Sequence, residues 1–297
     1  MKVLITGSRG QLGHHLKKIY PKGTIIFAPT REDLDLSNID EAKKQIKEIN
    51  PDCIINCAAY TNVDKAEIDQ NIALKINAEL PKMLAEVLIE NGGNLLHLST
   101  DFVFDGNENK PYKVNHDRNP LNFYGESKMQ GEIAIEEKLK EFKMATILRT
   151  SWVISPIGRN FLLTMIKLFK EKKVIKVVSD QIGCPTSAHN LAKVCWNIVK
   201  VKSNRNLTEK LPLYMHYSDA GVASWYDLAV CIQDLLNDIN LFKNETEIIP
   251  IKTCEFNSKT KRPCYSVLDS DQTMKLLKLK PIHWKKGLLE IIRKIKV

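Results

Sequence analysis

From residue 2 the chain reads "KVLITGSRGQLG", so that Gly7, Gly10 and Gly13 follow, three apart, on a short apolar run. A strand, a glycine-rich turn and a helix start in that order leave few folds open. Small residues let the backbone turn tightly and approach a pyrophosphate, whose charge then meets the N–H groups of the first helical turn. A glycine triplet alone could be no more than a tight turn. Its position between a strand and a helix is the context that a dinucleotide site requires.

The alternation that begins there continues to about residue 150. Strands are predicted over 2–6, 24–28, 53–58, 95–100 and 145–150, and helices over 10–20, 38–48, 70–91 and 124–141. Short strands that are apolar on both faces and alternate with helices indicate a parallel sheet covered on both sides. Right-handed crossovers make such a sheet doubly wound. Beyond 150 the stretches "SPIGRN" and "DQIGCPTSAHN" break the rhythm. Helices are predicted there over 160–171, 188–200, 223–239, 270–278 and 284–295, and strands over 174–178, 213–217 and 246–251. The expected architecture is α/β. A doubly wound parallel-sheet Rossmann domain spans 1–150, with later segments such as 174–200 free to join it. A smaller α+β C-terminal substrate lobe is drawn mainly from 151–297.

Composition excludes several alternatives. No apolar run approaches the ~20 residues of a membrane span, and the N-terminus meets glycine too early for a secretory signal. A cytoplasmic protein without a membrane partner is expected. The net charge of +9 comes from lysines spread along every predicted helix. With no basic block interleaved with aromatics, nucleic acid is not an expected partner. The seven cysteines form no CxxC pair and the seven histidines no HExxH motif, so the thiols read as reduced and structural. His14 and His15 would point about 100° apart on a helix, poor geometry for sharing a metal.

Dinucleotide-binding units place an acid at the end of the second strand to take the ribose 2′-OH. Here "IIFAPTRED" brings Arg31 near that point, and Arg9 lies in the glycine loop. Guanidinium groups suit a 2′-phosphate, so NADPH is expected over NADH, with Glu32 or Asp33 open to the NAD role if the loop is displaced. Asp35 and Leu36 of "DLDLSN" fall beside the adenine. At the end of the third strand "NCAAYT" supplies Ala58 and Ala59, small enough for a flat nicotinamide-ribose to pass.

The strand "LLHLST" ends in Ser99-Thr100, at the carboxyl end where sites gather in open parallel sheets. One crossover later, "LNFYGESKMQGE" opens a helix with Tyr124 four residues before Lys128. Residues i and i+4 share a helix face. Reducing a ketone requires a proton at oxygen, and a lysine ammonium would lower the tyrosine pKa toward a working range. Lys128 could also hold ribose hydroxyls, with Thr100 polarising the carbonyl. Each residue alone reads as ordinary; a strand-end threonine and a solvated lysine are common. Together, in this order behind the glycine loop, they form a reductase constellation.

These motifs resemble those of the extended short-chain dehydrogenase/reductases. Longer strings, "GQLG", "NCAAYTNVDKAE", "STDFVFDG", "PLNFYGESKMQGE", "LRTSWV", "DQIGCPTSAHNLA", "YSDAGVASWYDLA" and "KRPCYSVLD", are similar to those of the dTDP-4-dehydrorhamnose reductase family, from residue 7 to about 270. The resemblance implies NADPH-dependent reduction of the C4 ketone of a dTDP-4-dehydro-6-deoxy-L-hexose. It assigns Gly10, Gln11 and Leu12 to the pyrophosphate, Asp35 and Leu36 to the adenosine side, and Ala59, Tyr60 and Thr61 to the central cofactor. Thr100, Tyr124 and Lys128 become the catalytic set. Thr100, Asp101 and Trp152 would contact the deoxysugar, and Asn160, Phe161, Pro185 and Arg262 the nucleotide or its diphosphate.

Some members of that family bridge two subunits through a Mg²⁺ held by glutamates. Two of those positions carry His15 and His189 here, and the third falls in a lysine-rich helix. Magnesium prefers hard oxygen ligands, so no structural metal is expected, and a monomer or weak homodimer is. A nucleotide-sugar 4,6-dehydratase would carry an Asp-Glu pair after the threonine, where this chain has Asp101-Phe102. C4 epimerases more often carry Ser-Ser or Ser-Ala in that stretch. A non-catalytic alternative stays open: the regulatory subunit of methionine adenosyltransferase resembles the same family and acts by binding a partner enzyme.

Overall fold

The computed structural model describes residues 1–139, 144–203, 211–240, 245–258 and 260–295. Its strands of three or more residues are β1 (Lys2–Thr6), β2 (Ile25–Phe27), β3 (Cys53–Asn56), β4 (Asn94–Thr100), β5 (Ala145–Thr150), β6 (Val174–Val178), β7 (Tyr214–His216) and β8 (Glu247–Ile251). Six of them form one wholly parallel sheet in the order β2-β1-β3-β4-β5-β7. This is a doubly wound sheet whose strand order reverses between β1 and β3, and ligands bind at such a switch point outside the carboxyl ends of the strands.

The helices are α1 (Gln11–Lys18), α2 (Ile39–Ile49), α3 (Val63–Ala66), α4 (Gln70–Leu74), α5 (Leu80–Asn91), α6 (Phe123–Leu139), α7 (Phe161–Glu171), α8 (Ala188–Ser203), α9 (Trp225–Asp238), α10 (Asp271–Leu276) and α11 (Trp284–Ile292). Residues 140 and 141 of the predicted 124–141 helix lie outside the described residues. Both faces of the sheet are covered, and so β3 and β5 are buried at every position. On one face Val3, Ile5 and Ile55 pack with Leu12 and Leu16 of α1 and Leu191, Cys195 and Ile198 of α8. On the other, Leu4 and Ile54 pack with Ile46 of α2, Leu84 and Leu88 of α5 and Ile135 of α6. None of the described helices is long and apolar enough to cross a membrane.

The helix expected over 70–91 is interrupted by a π-helical turn, Lys75–Glu79. Pro81 explains it: the residue brings no N–H, and its ring crowds the carbonyl four residues earlier, that of Asn77. That carbonyl is turned toward α6, where a Cβ on Gly131 would lie 2.0 Å from it. Glycine at 131 therefore lets α6 sit close against the π-turn.

Residue 150 does not divide the chain cleanly. The strand β7 extends the parallel sheet beside β5, and α8 packs on α1, so parts of 188–216 complete the first layer system. By contrast β6 pairs with β8, outside that sheet. Within the span 174–200, only the α8 portion joins the Rossmann unit. The second unit has its own core, where Leu162 and Ile166 of α7 meet Leu228 and Ile232 of α9 and Leu288 and Ile292 of α11. Its helix α9 starts with a reciprocal cap, in which Ser224 and Asp227 satisfy each other's backbone N–H.

Candidate active site

A cleft of about 790 Å³ opens at the carboxyl ends of the strands around the switch point. Its walls are the glycine loop, the segment Pro29–Ser37 after β2, residues 57–61 after β3, and Tyr124 and Lys128 from α6. Of the fifteen residues expected to bind cofactor, all but Gly13 border it. Gly13 works from behind. A Cβ there would stand 2.4 Å from the Gly7 carbonyl oxygen, so only glycine allows α1 to approach the loop this closely. Gly7 has φ +63°, a left-handed conformation suited to glycine, and a Cβ on it would run into the Cys57-Ala58 backbone at 2.8 Å. The backbone cradle thus fits a pyrophosphate laid on the start of α1.

Replacing Gly13 by Ala forces the loop and α1 apart. Overpacking of this kind costs about 1–3 kcal/mol. Dinucleotide binding, followed by fluorescence titration, is expected to weaken by about tenfold or more, because 1.4 kcal/mol corresponds to tenfold. Unchanged affinity would mean that the glycine loop does not carry the dinucleotide.

Along the glycine loop and the segment after β2 both arginines are engaged by acids: Arg9 Nη1 lies 3.0 Å from Glu32 and Arg31 Nε 3.6 Å from Asp35. Asp33 instead accepts from the Thr30 N–H and hydroxyl. Both guanidinium groups are exposed at the rim, so their ion pairs are weak and open to exchange for a phosphate. Tyr60 is held by its backbone, which exchanges hydrogen bonds with the Asn77 side chain, and by its hydroxyl on Asp69 at 2.6 Å.

The catalytic candidates converge where β4 meets α6. Gly125 makes this possible, since a Cβ at that position would fall 2.2 Å from the Phe102 carbonyl oxygen. The Tyr124 ring packs edge-on against Phe102 at 5.7 Å, and Thr100 lies near enough to its hydroxyl to pull on its pKa. Thr100 donates to the buried Asp101 carboxylate at 3.0 Å. Burial pushes the Asp101 carboxyl up to about 6, against the pull of nearby Ser266 and of the Thr100 hydrogen bond. Burial also raises the Tyr124 phenol to about 12, opposed by Thr100 and reinforced by the Asp101 charge.

Here the structure departs from expectation. The Lys128 ammonium does not pull the Tyr124 pKa down; its Nζ faces inward, donating to the Leu98 carbonyl at 2.7 Å and lying 3.1 Å from His97 Nε2. Burial lowers the lysine itself to about 8, with Glu132 and then Cys57 acting the other way. The phenol is therefore a proton-holding acid at neutral pH.

None of the seven substrate candidates borders the cleft itself. Thr100 and Asp101 sit just beyond Tyr124. Trp152, at φ +44°, stacks on Trp225 with ring centroids 3.4 Å apart, and Phe161 leans on the same Trp225 at 4.8 Å. A bulky residue in the left-handed region is strained, and such strain is concentrated at functional sites. Asn160 caps α7 and donates to the Gln11 side chain at 2.9 Å, tying the second unit to the glycine loop. Pro185 is buried. Arg262 is paired with Asp64 of α3 at 3.0 Å. His15 is buried 5.6 Å from His189, and burial followed by the His189 charge lowers it to about 4. No group of three His, Cys, Asp or Glu suited to a metal occurs among the described residues.

Several residues of the site were given no role by the sequence. Ser99, Thr150 and Arg159 border the cleft, and Trp225 forms the aromatic stack. Arg159 follows Gly158, whose place against Gln11 brings this loop onto the glycine turn; a lone "GR" in a loop offers no signal of that.

A family model described as the RmlD substrate binding domain matches residues 1–297. A dTDP-4-dehydrorhamnose reductase of Aggregatibacter actinomycetemcomitans is 36% identical over 292 residues, 98% of each chain. Among solved structures, a dTDP-4-dehydrorhamnose reductase of Clostridium acetobutylicum matches with TM-score 0.89 at 36% identity, covering 99% of both chains. Another, from Bacillus anthracis and in complex with NADP, matches with TM-score 0.89 at 33% identity over 99% of both chains.

Proposed function

The chain belongs to the dTDP-4-dehydrorhamnose reductase family, described by its RmlD substrate binding domain, and on that premise we propose that it reduces the C4 ketone of dTDP-4-dehydro-6-deoxy-L-mannose to dTDP-L-rhamnose with NADPH. One observation carries the reading: Tyr124 and Lys128 border the same cleft as the glycine loop, with Thr100 beside the tyrosine hydroxyl and acting on its pKa. The product feeds nucleotide-sugar supply for cell-surface polysaccharide.

In this reading Gly7, Gly10, Gln11 and Leu12 hold the pyrophosphate, Arg9 and Arg31 exchange their carboxylate partners for a 2′-phosphate, and residues 58–61 support the nicotinamide half. NADPH bound there supplies the hydride. Tyr124 delivers a proton to the substrate oxygen, Thr100 orients that oxygen, and Lys128 presents its ammonium at the cleft wall. Asp101, the Trp152–Trp225 stack and Phe161 flank the sugar side, while Asn160, Pro185 and Arg262 serve the nucleotide. For Arg262 this entails release from Asp64. Cofactor binding is assigned to residues 1–150 together with α8 and β7, and substrate binding mainly to the rest of 151–297. We take the enzyme to be a cytoplasmic monomer or weak homodimer without nucleic-acid or membrane partners.

The test is consumption of NADPH by the purified protein with dTDP-4-dehydro-6-deoxy-L-mannose, alongside a panel of other nucleotide 4-ketosugars and NADH. Turnover with the dTDP-hexose is expected, faster with NADPH. No turnover with any ketosugar, together with tight binding to another enzyme, would overturn the reading in favour of a regulatory subunit.

A further inference from the structure

Lys128 is the end of a buried chain of hydrogen bonds that runs back through three strands to the glycine loop. Its Nζ lies 3.1 Å from His97 Nε2 on β4. The other ring nitrogen, Nδ1, lies 2.9 Å from the Asn56 side-chain amide on β3. The far end of that amide meets the Thr6 hydroxyl on β1 at 2.6 Å, and Thr6 accepts from the Ala58 N–H at 3.2 Å. All four side chains are 1% exposed or less.

A neutral imidazole has one N–H and one acceptor nitrogen, and an amide one donor end and one acceptor end. The chain therefore has a direction, and two arrangements satisfy it. In the first, the Asn56 NH₂ donates to Nδ1, the ring proton sits on Nε2, and Lys128 accepts it as a free amine. In the second, the amide is turned over, Nδ1–H donates to the Asn56 oxygen, and Nε2 accepts from a Lys128 ammonium.

We propose that His97 is a positioning residue whose tautomer is coupled to the charge of Lys128, so that the buried chain holds the ammonium in place at the cleft wall while it is charged and reverses when it is not. The proposal deepens the reading of Lys128 as the partner of Tyr124 and rests on it. The other groups facing Lys128 do not adapt in this way. Glu132, one turn further along α6, is engaged by Arg149 of β5 at 2.7 Å. The Cys57 thiol, after β3, is driven upward by burial and stays protonated, as does the Tyr124 phenol. The imidazole is itself kept neutral, first by burial and then by the lysine charge.

Without the imidazole acceptor, an ammonium in this dry site has one partner fewer, and its loss of a proton moves to lower pH. Ring ¹⁵N spectra of the whole protein, recorded from pH 6 to 10 with the His97 signal identified by its absence in His97→Gln, are expected to show Nδ1–H at low pH and Nε2–H at high pH. The switch should vanish in Lys128→Met. In steady-state assays, His97→Leu should move the basic limb of kcat/KM down by about one pH unit or more, equivalent to tenfold in the acid–base equilibrium. His97→Gln, whose amide oxygen accepts from the ammonium, should leave the limb near its wild-type position. One fixed tautomer throughout, a switch that persists in Lys128→Met, or variants that lose rate equally at every pH would overturn the coupling. Undiminished turnover by Lys128→Met would instead overturn the assignment of Lys128 itself, so the two failures are told apart.

Discussion

Tyr124→Phe is expected to lower kcat by about 10²–10⁴, the range typical of a positioned general acid, while the affinity for NADPH stays within about threefold, less than 1 kcal/mol. The substitution removes one oxygen and little else. The ring keeps its edge-on contact with Phe102 at 5.7 Å, and Gly125 still lets the start of α6 lie against the Phe102 carbonyl. With the phenol pushed up to about 12, essentially every molecule carries the proton at neutral pH, so the wild-type rate does not depend on a minor protonated fraction. Stopped-flow and steady-state rates together with a binding titration would check this. A fall of less than about tenfold would mean that the proton reaches the substrate oxygen from another donor, and the role of Tyr124 would have to be given up.

What the sequence made legible is what depends on local periodicity and on a turn. The glycine triplet needs a strand before it and a helix after it, and each is encoded within a few residues. The Tyr124–Lys128 spacing needs only a helix. Features decided by distant partners left no such trace. The interruption at Lys75–Glu79 depends on Pro81 within the helix and on Gly131 across from it. The segment 213–217 reads as a strand, but its partner is β5, some sixty-five residues earlier, and nothing nearby says so. His97 within "LLHLST" looks like a core residue on an apolar strand, and only the approach of Lys128 and Asn56 gives it a task. The pKa effect expected between lysine and tyrosine illustrates the limit. Helical spacing puts the two side chains on one face, yet the amine is captured by the Leu98 carbonyl and His97, and burial then sets both acidities.

Arg149→Met is expected to destabilise the protein by about 3–5 kcal/mol, because it strands a charge in the interior. Arg149 is 1% exposed and makes two bonds to Glu132, Nε to Oε1 at 2.8 Å and Nη2 to Oε2 at 2.7 Å. Its Nη1 donates to the Val114 carbonyl at 3.2 Å and lies 3.3 Å from His216, whose imidazole is held neutral by burial and by this guanidinium. The Phe104 and Tyr214 rings sit beside the guanidinium at 5.0 and 4.6 Å. With methionine in its place, the fully buried Glu132 would be left with the longer ion pair to Arg118, at 3.5 Å. At roughly 2–3 °C per kcal/mol for a chain of this size, the thermal midpoint should fall by about 6–15 °C. The double variant Arg149→Met, Glu132→Leu should recover most of that loss, since replacing both members of a buried pair by apolar groups is often neutral or better. The pair also touches catalysis, because Glu132 acts on Lys128 from one turn away and raises its pKa. Freed from Arg149, an ionised Glu132 would act on the lysine more strongly, so the basic limb of the single variant's pH profile should move up, opposite to His97→Leu. A single variant as stable as the wild type, or a double variant no better than the single, would show that the ion pair is not what holds β5 against α6.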